Sequence, residues 1–171
     1  MRIRPYRSED WPGVWEILEP VFREGESYMF SPQIDEEEAR RAWIEATQRV
    51  YVAEAEGRIV GTFYLKPNQP GLGDHLCNAG YAVHPGYRGR GTARAMALYS
   101  LAEAVGLGYE AMQFNAVVST NEPAVRLWRS LGFETVGRVP GAFRSRRHGK
   151  VEILIMYRRL KETEQKDRVD E

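Results

Sequence analysis

Tyr81-Ala82-Val83-His84-Pro85-Gly86-Tyr87-Arg88-Gly89-Arg90-Gly91-Thr92-Ala93 is the stretch on which the reading of this 171-residue chain turns. It continues an apolar run from Leu76 that reads as a strand up to His84, where Pro85-Gly86 stops it. From Thr92 to Val105, residues Ala93, Met96, Ala97, Leu101 and Ala104 fall on one stripe, and Gly106 and Gly108 end it, the pattern of a helix packed on a sheet. Between strand and helix, the glycines let successive backbone N–H groups converge at the helix N-terminus, and Arg88 and Arg90 add positive charge. This makes an anion site suited to a diphosphate. The same residues also read as a plain tight connection with solvated arginines, and local chemistry leaves both open. A Walker loop is excluded because no Gly-Lys-Ser/Thr ending is present, and a Rossmann fingerprint meets Arg94 where its third glycine belongs.

On the N-terminal side, Ile3 to Tyr6 reads as a short opening strand. Ser8 is placed to cap a helix carrying Val14, Ile17, Leu18, Val21 and Phe22 and ending near Arg23. An aromatic-rich loop from Glu24 to Pro32 precedes a second helix, capped by Asp35 and running through Ala39, Ala42, Trp43 and Ala46. Val50 to Ala53 and Ile59 to Leu65 flank Glu56-Gly57-Arg58 as a hairpin. On the C-terminal side come a strand from Met112 to Val118 and a helix opened by Asn121, with Ala124, Leu127, Trp128 and Leu131 inward. Strands from Phe133 to Val139 and Val151 to Tyr157 follow. The pattern predicts one domain over residues 1 to 160 and a polar, fraying tail from 161 to 171.

Charge sets the first limits on function. The 24 Lys plus Arg equal the 24 Asp plus Glu, which leaves no long-range field to draw the chain onto nucleic acid or an anionic membrane. A lone cysteine, Cys77, cannot form an intramolecular disulfide, and Met1-Arg2-Ile3-Arg4-Pro5 offers no apolar stretch for a signal peptide or membrane span. A cytoplasmic location is expected. His75, His84 and His148 stand at no metal-ligand spacing, and no metal is expected.

Taken together, Arg88, Gly91 and Ala93 resemble the acetyl-CoA signature of the GNAT superfamily of N-acetyltransferases, Arg/Gln-x-x-Gly-x-Gly/Ala. Asn121-Glu122-Pro123-Ala124-Val125-Arg126-Leu127-Trp128-Arg129-Ser130-Leu131-Gly132-Phe133 is similar to that superfamily's second hallmark, Asn-x-x-Ala-x-x-Leu-Tyr-x-x-x-Gly-Phe. The resemblance implies an α/β (α+β) fold with a mixed, mostly antiparallel sheet of about seven strands flanked by four helices. It also implies acetyl-CoA as cosubstrate, held by Tyr81, Ala82, Val83, Arg88, Gly89, Arg90, Gly91, Thr92, Ala93 and Asn121; the Glu24 to Pro32 loop is long enough to obstruct a peptide groove and favours a small-molecule amine as acceptor. Homodimerisation is left open. Trp128 departs from the pattern, because an indole N–H cannot hand a proton to a departing thiolate as a tyrosine can.

A narrower likeness is carried by Gly61-Thr62-Phe63-Tyr64-Leu65-Lys66-Pro67-Asn68, Cys77-Asn78-Ala79-Gly80 and Phe114-Asn115 followed by Asn121. These stretches resemble the yeast acetyltransferases of azetidine-2-carboxylate and related proline analogues. By that likeness Asn78 would contact the substrate carboxylate, Asn115 with Ala116 would hold the substrate through backbone, and Asn121 would reach the CoA sulfur. Asn is depleted in strands, so Asn78 and Asn115 equally read as amides satisfying backbone groups where the sheet opens. For catalysis, an N–H near Tyr81 would bind the oxyanion and Asn121 would stabilise the thiolate. Glu26 and Tyr28 are candidates for the acceptor pocket, and no histidine is placed as base. Two other functions stay in view: a peptide or protein N-acetyltransferase, and a CoA-binding sensor without catalysis. Arg144 to Lys150 reads as a solvated turn, or as a gate or 3′-phosphate contact.

Overall fold

A computed structural model of the chain describes residues 1 to 160; the tail expected at 161 to 171 lies outside the described residues. Seven strands form one sheet in the order β1-β2-β3-β4-β5-β7-β6: β1 Arg2–Pro5, β2 Arg49–Ala55, β3 Arg58–Pro67, β4 Leu76–Val83, β5 Ala111–Val118, β6 Glu134–Ser145 and β7 Gly149–Arg159. All neighbours are antiparallel except β4 and β5. Four α-helices flank it: α1 Trp11–Glu24, α2 Glu36–Arg40, α3 Thr92–Gly106 and α4 Glu122–Ser130. This is the mixed, mostly antiparallel architecture expected.

Each face of the sheet has its own core. Val14, Ile17, Leu18, Val21 and Phe22 of α1 pack with Trp43 and Val52 on one side. On the other, Phe63, Leu65, Met96, Leu101, Met112, Trp128 and Phe133 join the sheet to α3 and α4. Burying each large apolar side chain contributes about 1.5–3 kcal/mol, so these two layers hold the domain together. Trp128 is 7% exposed, in line with its place on the inward stripe of α4.

Local chemistry explains most boundaries. Glu56 and Gly57 both take positive φ (53° and 74°), as the type I′ turn of a two-residue hairpin requires. Asp35 caps α2 by accepting from the Glu38 N–H, while Glu38 reaches back to the Asp35 N–H. The helix then loosens into one π-type turn, Arg41–Glu45, instead of continuing regularly to Ala46. That turn carries Trp43, whose indole N–H donates to Thr62 Oγ1 at 3.1 Å in the core.

At the first helix the expected cap is not used. Ser8 begins a 3-10 turn, Ser8–Asp10, and the side chain joining the turn is Asp10, which accepts from the Arg7 N–H at 2.8 Å and from Arg4 at 2.7 and 2.8 Å. An ionised carboxylate between two donors outcompetes a serine hydroxyl.

Candidate active site

The parallel pair is where the sheet opens. β4 and β5 are paired only at Leu76–Ala111 and Cys77–Met112. His84 N–H to Val60 C=O and Asn68 N–H to Leu76 C=O set which residues face β3, at 2.9 and 2.8 Å. Even-numbered residues of β4 bond to β3, which turns the main-chain N–H and C=O of Ala79, Tyr81 and Val83 toward the gap left by β5. Ala82, expected to touch the cofactor, pairs with Thr62 on β3 instead and sends its side chain into the α1 core.

Asn78 stands where the two strands part. Its Nδ2 donates to the Gln113 C=O at 2.9 Å, and the residue is 8% exposed. The amide thus replaces the strand N–H that β4 no longer supplies to β5. Asn115 and Ala116 form an irregularity in β5, where pairing with β7 shifts register between Phe114 and Val117. Asn115 Nδ2 donates to Asn68 Oδ1 at 2.8 Å, and Gln113 Nε2 donates to Asn115 Oδ1 at 3.0 Å, a chain of amides on the α1 side of the sheet.

Beyond the end of β4, His84 Nδ1 accepts from the Gly86 N–H at 3.1 Å and closes the turn Pro85–Tyr87. Gly89 (φ +74°) and Gly91 (φ +81°) follow in left-handed conformation, and a Cβ on either would have nothing within 4 Å. Gly91 is also the N-cap of α3 and provides no side-chain cap, with Thr92 and Ala93 forming the first turn. The cradle is therefore open, its helix N–H groups are not capped by a side chain, and no acidic residue stands in that first turn. Arg90 stacks over the Tyr87 ring at 4.9 Å, and Tyr87 in turn donates to Glu56 at 2.9 Å. Arg88 is held by both oxygens of Glu24, at 2.9 and 3.1 Å. Donors of this kind fit a diphosphate at the cradle, while the splayed β4 edge fits an extended amide-bearing tail running from it.

On the opposite side of the gap, Tyr28 reaches in from the loop after α1 and donates its hydroxyl to the Tyr81 C=O at 2.7 Å. Burial pushes its pKa well above the ordinary tyrosine value, so it stays a neutral donor. The Tyr81 side chain points the other way, sharing a hydrogen bond of 2.6 Å with Ser100 and packing 4.9 Å from Trp128. Burial raises that phenol too, so the Tyr81 side chain is structural and only its main chain meets the gap.

Glu26, expected at the acceptor pocket, is engaged by the last hairpin. Its carboxylate accepts from Ser145 Oγ at 2.6 Å and from the Arg147 N–H at 3.0 Å, and so closes the β6–β7 hairpin. Burial raises its pKa, but these hydrogen bonds and the charges of Arg147 and His148 outweigh that and hold it low. Arg146 donates to the Arg23 C=O at 2.6 Å, and a Cβ on Gly25 would lie 2.6 Å from the Arg146 side chain. The basic stretch is therefore a clasp between the hairpin and the end of α1, a contact across 119 residues that the local sequence could not announce. Asn121 caps α4 by accepting from the Ala124 N–H at 3.4 Å.

Residues 11–133 match the model of the Acetyltransferase (GNAT) family, and the chain belongs to that family, whose members are acetyl-CoA-dependent N-acetyltransferases. The N-acetyltransferase aca1 of Schizosaccharomyces pombe (strain 972 / ATCC 24843) is 39% identical over 90 residues, which is 53% of this chain; the match spans 43% of that protein's length. A GCN5-related N-acetyltransferase from Kribbella flavida superposes with a TM-score of 0.87 at 37% identity, over 92% of this chain and 96% of that one. YncA of Salmonella typhimurium, solved with its cofactor acetyl-CoA, gives 0.83 at 25% identity over 95% of each chain.

Proposed function

We propose that this chain transfers an acetyl group from acetyl-CoA to the amine of a small molecule, with an amino or imino acid as the acceptor class. The observation that carries it is the continuity between the open glycine cradle at Gly89 and Gly91 and the β4 edge facing the gap. Acetyl-CoA supplies an activated thioester. Arg88, Arg90 and the first N–H groups of α3 hold its diphosphate, and the gap-facing main chain of Tyr81 and Val83 aligns the tail. The Tyr81 N–H stabilises negative charge on the acetyl oxygen, a donor typically worth about 3 kcal/mol. Tyr28, bonded to the adjacent Tyr81 C=O, fixes that strand segment in place. Asn121, at the start of α4, donates to the departing sulfur in place of the hydroxyl that Trp128 lacks.

The clasp favours a small acceptor over a peptide. Glu26, Ser145, Arg146 and Arg147 tie the end of α1 and the loop after it to the β6–β7 hairpin, and that same loop sends Tyr28 to the Tyr81 C=O at the gap, so we place the clasp across the acceptor's approach. An extended peptide would have to break it. Zero net charge and an unpaired, buried Cys77 suit a cytoplasmic enzyme of small metabolites acting on neither nucleic acid nor membrane. The test is release of free CoA from acetyl-CoA with amino acids, polyamines, aminoglycosides and peptides as acceptors. Turnover of peptides alone would transfer the assignment to a protein-modifying enzyme, and acetyl-CoA binding without any turnover would make the chain a sensor.

A further inference from the structure

We propose that Lys66 selects the acceptor: it holds a carboxylate while Asn78 receives the N–H of the neighbouring amine, which makes the substrate an amino carboxylate and not a simple amine. This rests on the gap between β4 and β5 being the acetyl-transfer site. Lys66 is paired in register with Asn78, and Tyr64 with Gly80. Tyr64 lies in the α1-side core, and alternation along β3 places Lys66 on that same face of the sheet. The Tyr64 ring covers Gly80 so closely that a Cβ there would sit 2.5 Å from the ring, and Lys66 Nζ stands 5.6 Å from the centre of that ring. The ammonium is thus held over an aromatic surface beside the parting of the strands.

Its charge is unanswered there. None of the ion pairs among the described residues includes Lys66. Glu45 lines an open groove of about 420 Å³ together with Lys66 and Asn68, at the β3 end, without forming an ion pair with Lys66. Tyr64 cannot serve as the anion, since burial pushes its phenol up to about 12. The partner chemistry follows from what each group can still do. An ammonium only donates, so it takes an anion. Asn78 gives one N–H of its amide to the Gln113 C=O, which fixes the group with Oδ1 available to accept an amine N–H, a role that replaces the carboxylate contact implied by the likeness to the proline-analogue acetyltransferases. A donor-only cation and an acceptor oxygen on adjacent strands match a carboxylate and an amine carried by one small molecule.

The experiment measures acetylation of amino and imino acids and of the matching decarboxylated amines, proline with pyrrolidine and alanine with ethylamine among them, by the wild type, Lys66→Met and Lys66→Arg. Replacing a charged hydrogen bond should raise the ratio of acid KM to amine KM about ten- to a hundredfold in Lys66→Met, with kcat for the acid within about threefold. Lys66→Arg should restore part of the ratio. Acetyl-CoA affinity by calorimetry should be the same in all three. An unchanged ratio in folded Lys66→Met overturns the proposal, and so does a wild type that acetylates amines or peptides but no carboxylate in the panel. A wild type that fails to bind acetyl-CoA instead overturns the acetyltransferase reading itself.

Discussion

Glu24, the last residue of α1, grips Arg88 of the glycine cradle with both carboxylate oxygens, at 2.9 and 3.1 Å. The arginine proposed to meet a diphosphate thus already has an anion, and the two compete. Glu24→Gln should strengthen acetyl-CoA binding about three- to tenfold, and Arg88→Ala should weaken it by at least as much. Both groups are substantially exposed, so the ion pair adds little to stability and melting should be nearly unaffected. Calorimetric titration at low and high salt checks this; a weaker-binding Glu24→Gln would show that the carboxylate positions Arg88 and does not compete for it.

Gly91 should tolerate no large side chain. At φ +81° an L-residue costs about 1 kcal/mol, and a side chain would project into the open space where the diphosphate is proposed to lie. Gly91→Ala should melt slightly lower and bind more weakly, whereas Gly91→Glu should stay folded and lose acetyl-CoA binding altogether. Circular dichroism together with calorimetry separates the two effects.

Asn121 allows capping and catalysis to be told apart. Its cap bond to Ala124 is long, at 3.4 Å, and aspartate caps a helix as well as asparagine does. Asn121→Ala should lower kcat about tenfold or more with little change in either KM, and Asn121→Asp should be worse because a carboxylate repels the developing thiolate. Stability should follow the opposite order, the alanine variant losing about 1 kcal/mol and the aspartate variant almost nothing. A stable, active Asn121→Asp would reduce the residue to a cap.

The Arg4–Asp10 pair should govern acid stability at the N-terminal edge. Hydrogen bonds from Arg4 hold the Asp10 carboxyl below its ordinary value of 3.8, against the opposing effect of burial. Because the folded pKa is depressed, the stabilisation is complete above the unfolded value and is lost as pH falls through the folded one. Urea midpoints between pH 5 and pH 2.5 should therefore fall more steeply for the wild type than for Asp10→Asn. The variant should be less stable by about 2 kcal/mol at neutral pH, since it leaves Arg4 leaning on Glu54 alone.

Period and punctuation made much of this architecture legible. Apolar spacing in α1 and α3, the Asp35 cap, the Glu56-Gly57 turn and the strand-glycine-helix passage at Gly91 all act over a few residues, the range in which spacing and turn chemistry work. What remained illegible depends on distant partners. Nothing near Asn78 in sequence names the Gln113 carbonyl, and Tyr28 meets Tyr81 across 53 positions. The tie of Glu26 to Ser145 was equally invisible, because its partner comes from the last hairpin. β6 runs on to Ser145, beyond the Val139 expected as its end, because its register with β7 shifts between Val139 and Phe143 and pairing then resumes. Lys66 stood inside the Gly61 to Asn68 stretch of the narrower likeness, but the role proposed for it depends on its register with Asn78 and on the Tyr64 ring, which the sequence does not display.

The sheet is stitched at the β4–β5 seam by two residue pairs and the Asn78 amide, and is buckled at the other side of the gap by Glu26, Arg146 and Arg147. Mechanically this is a pair of leaves on a narrow hinge with a catch at the free edge. The width between the leaves, and so the fit of anything wedged there, is set at both ends, and of the groups that set it only Asn78 is proposed to touch a reactant. Loosening the catch, as Glu26→Ala or Ser145→Ala would do, alters the seating of both ligands at once while every residue on the inner edges stays the same.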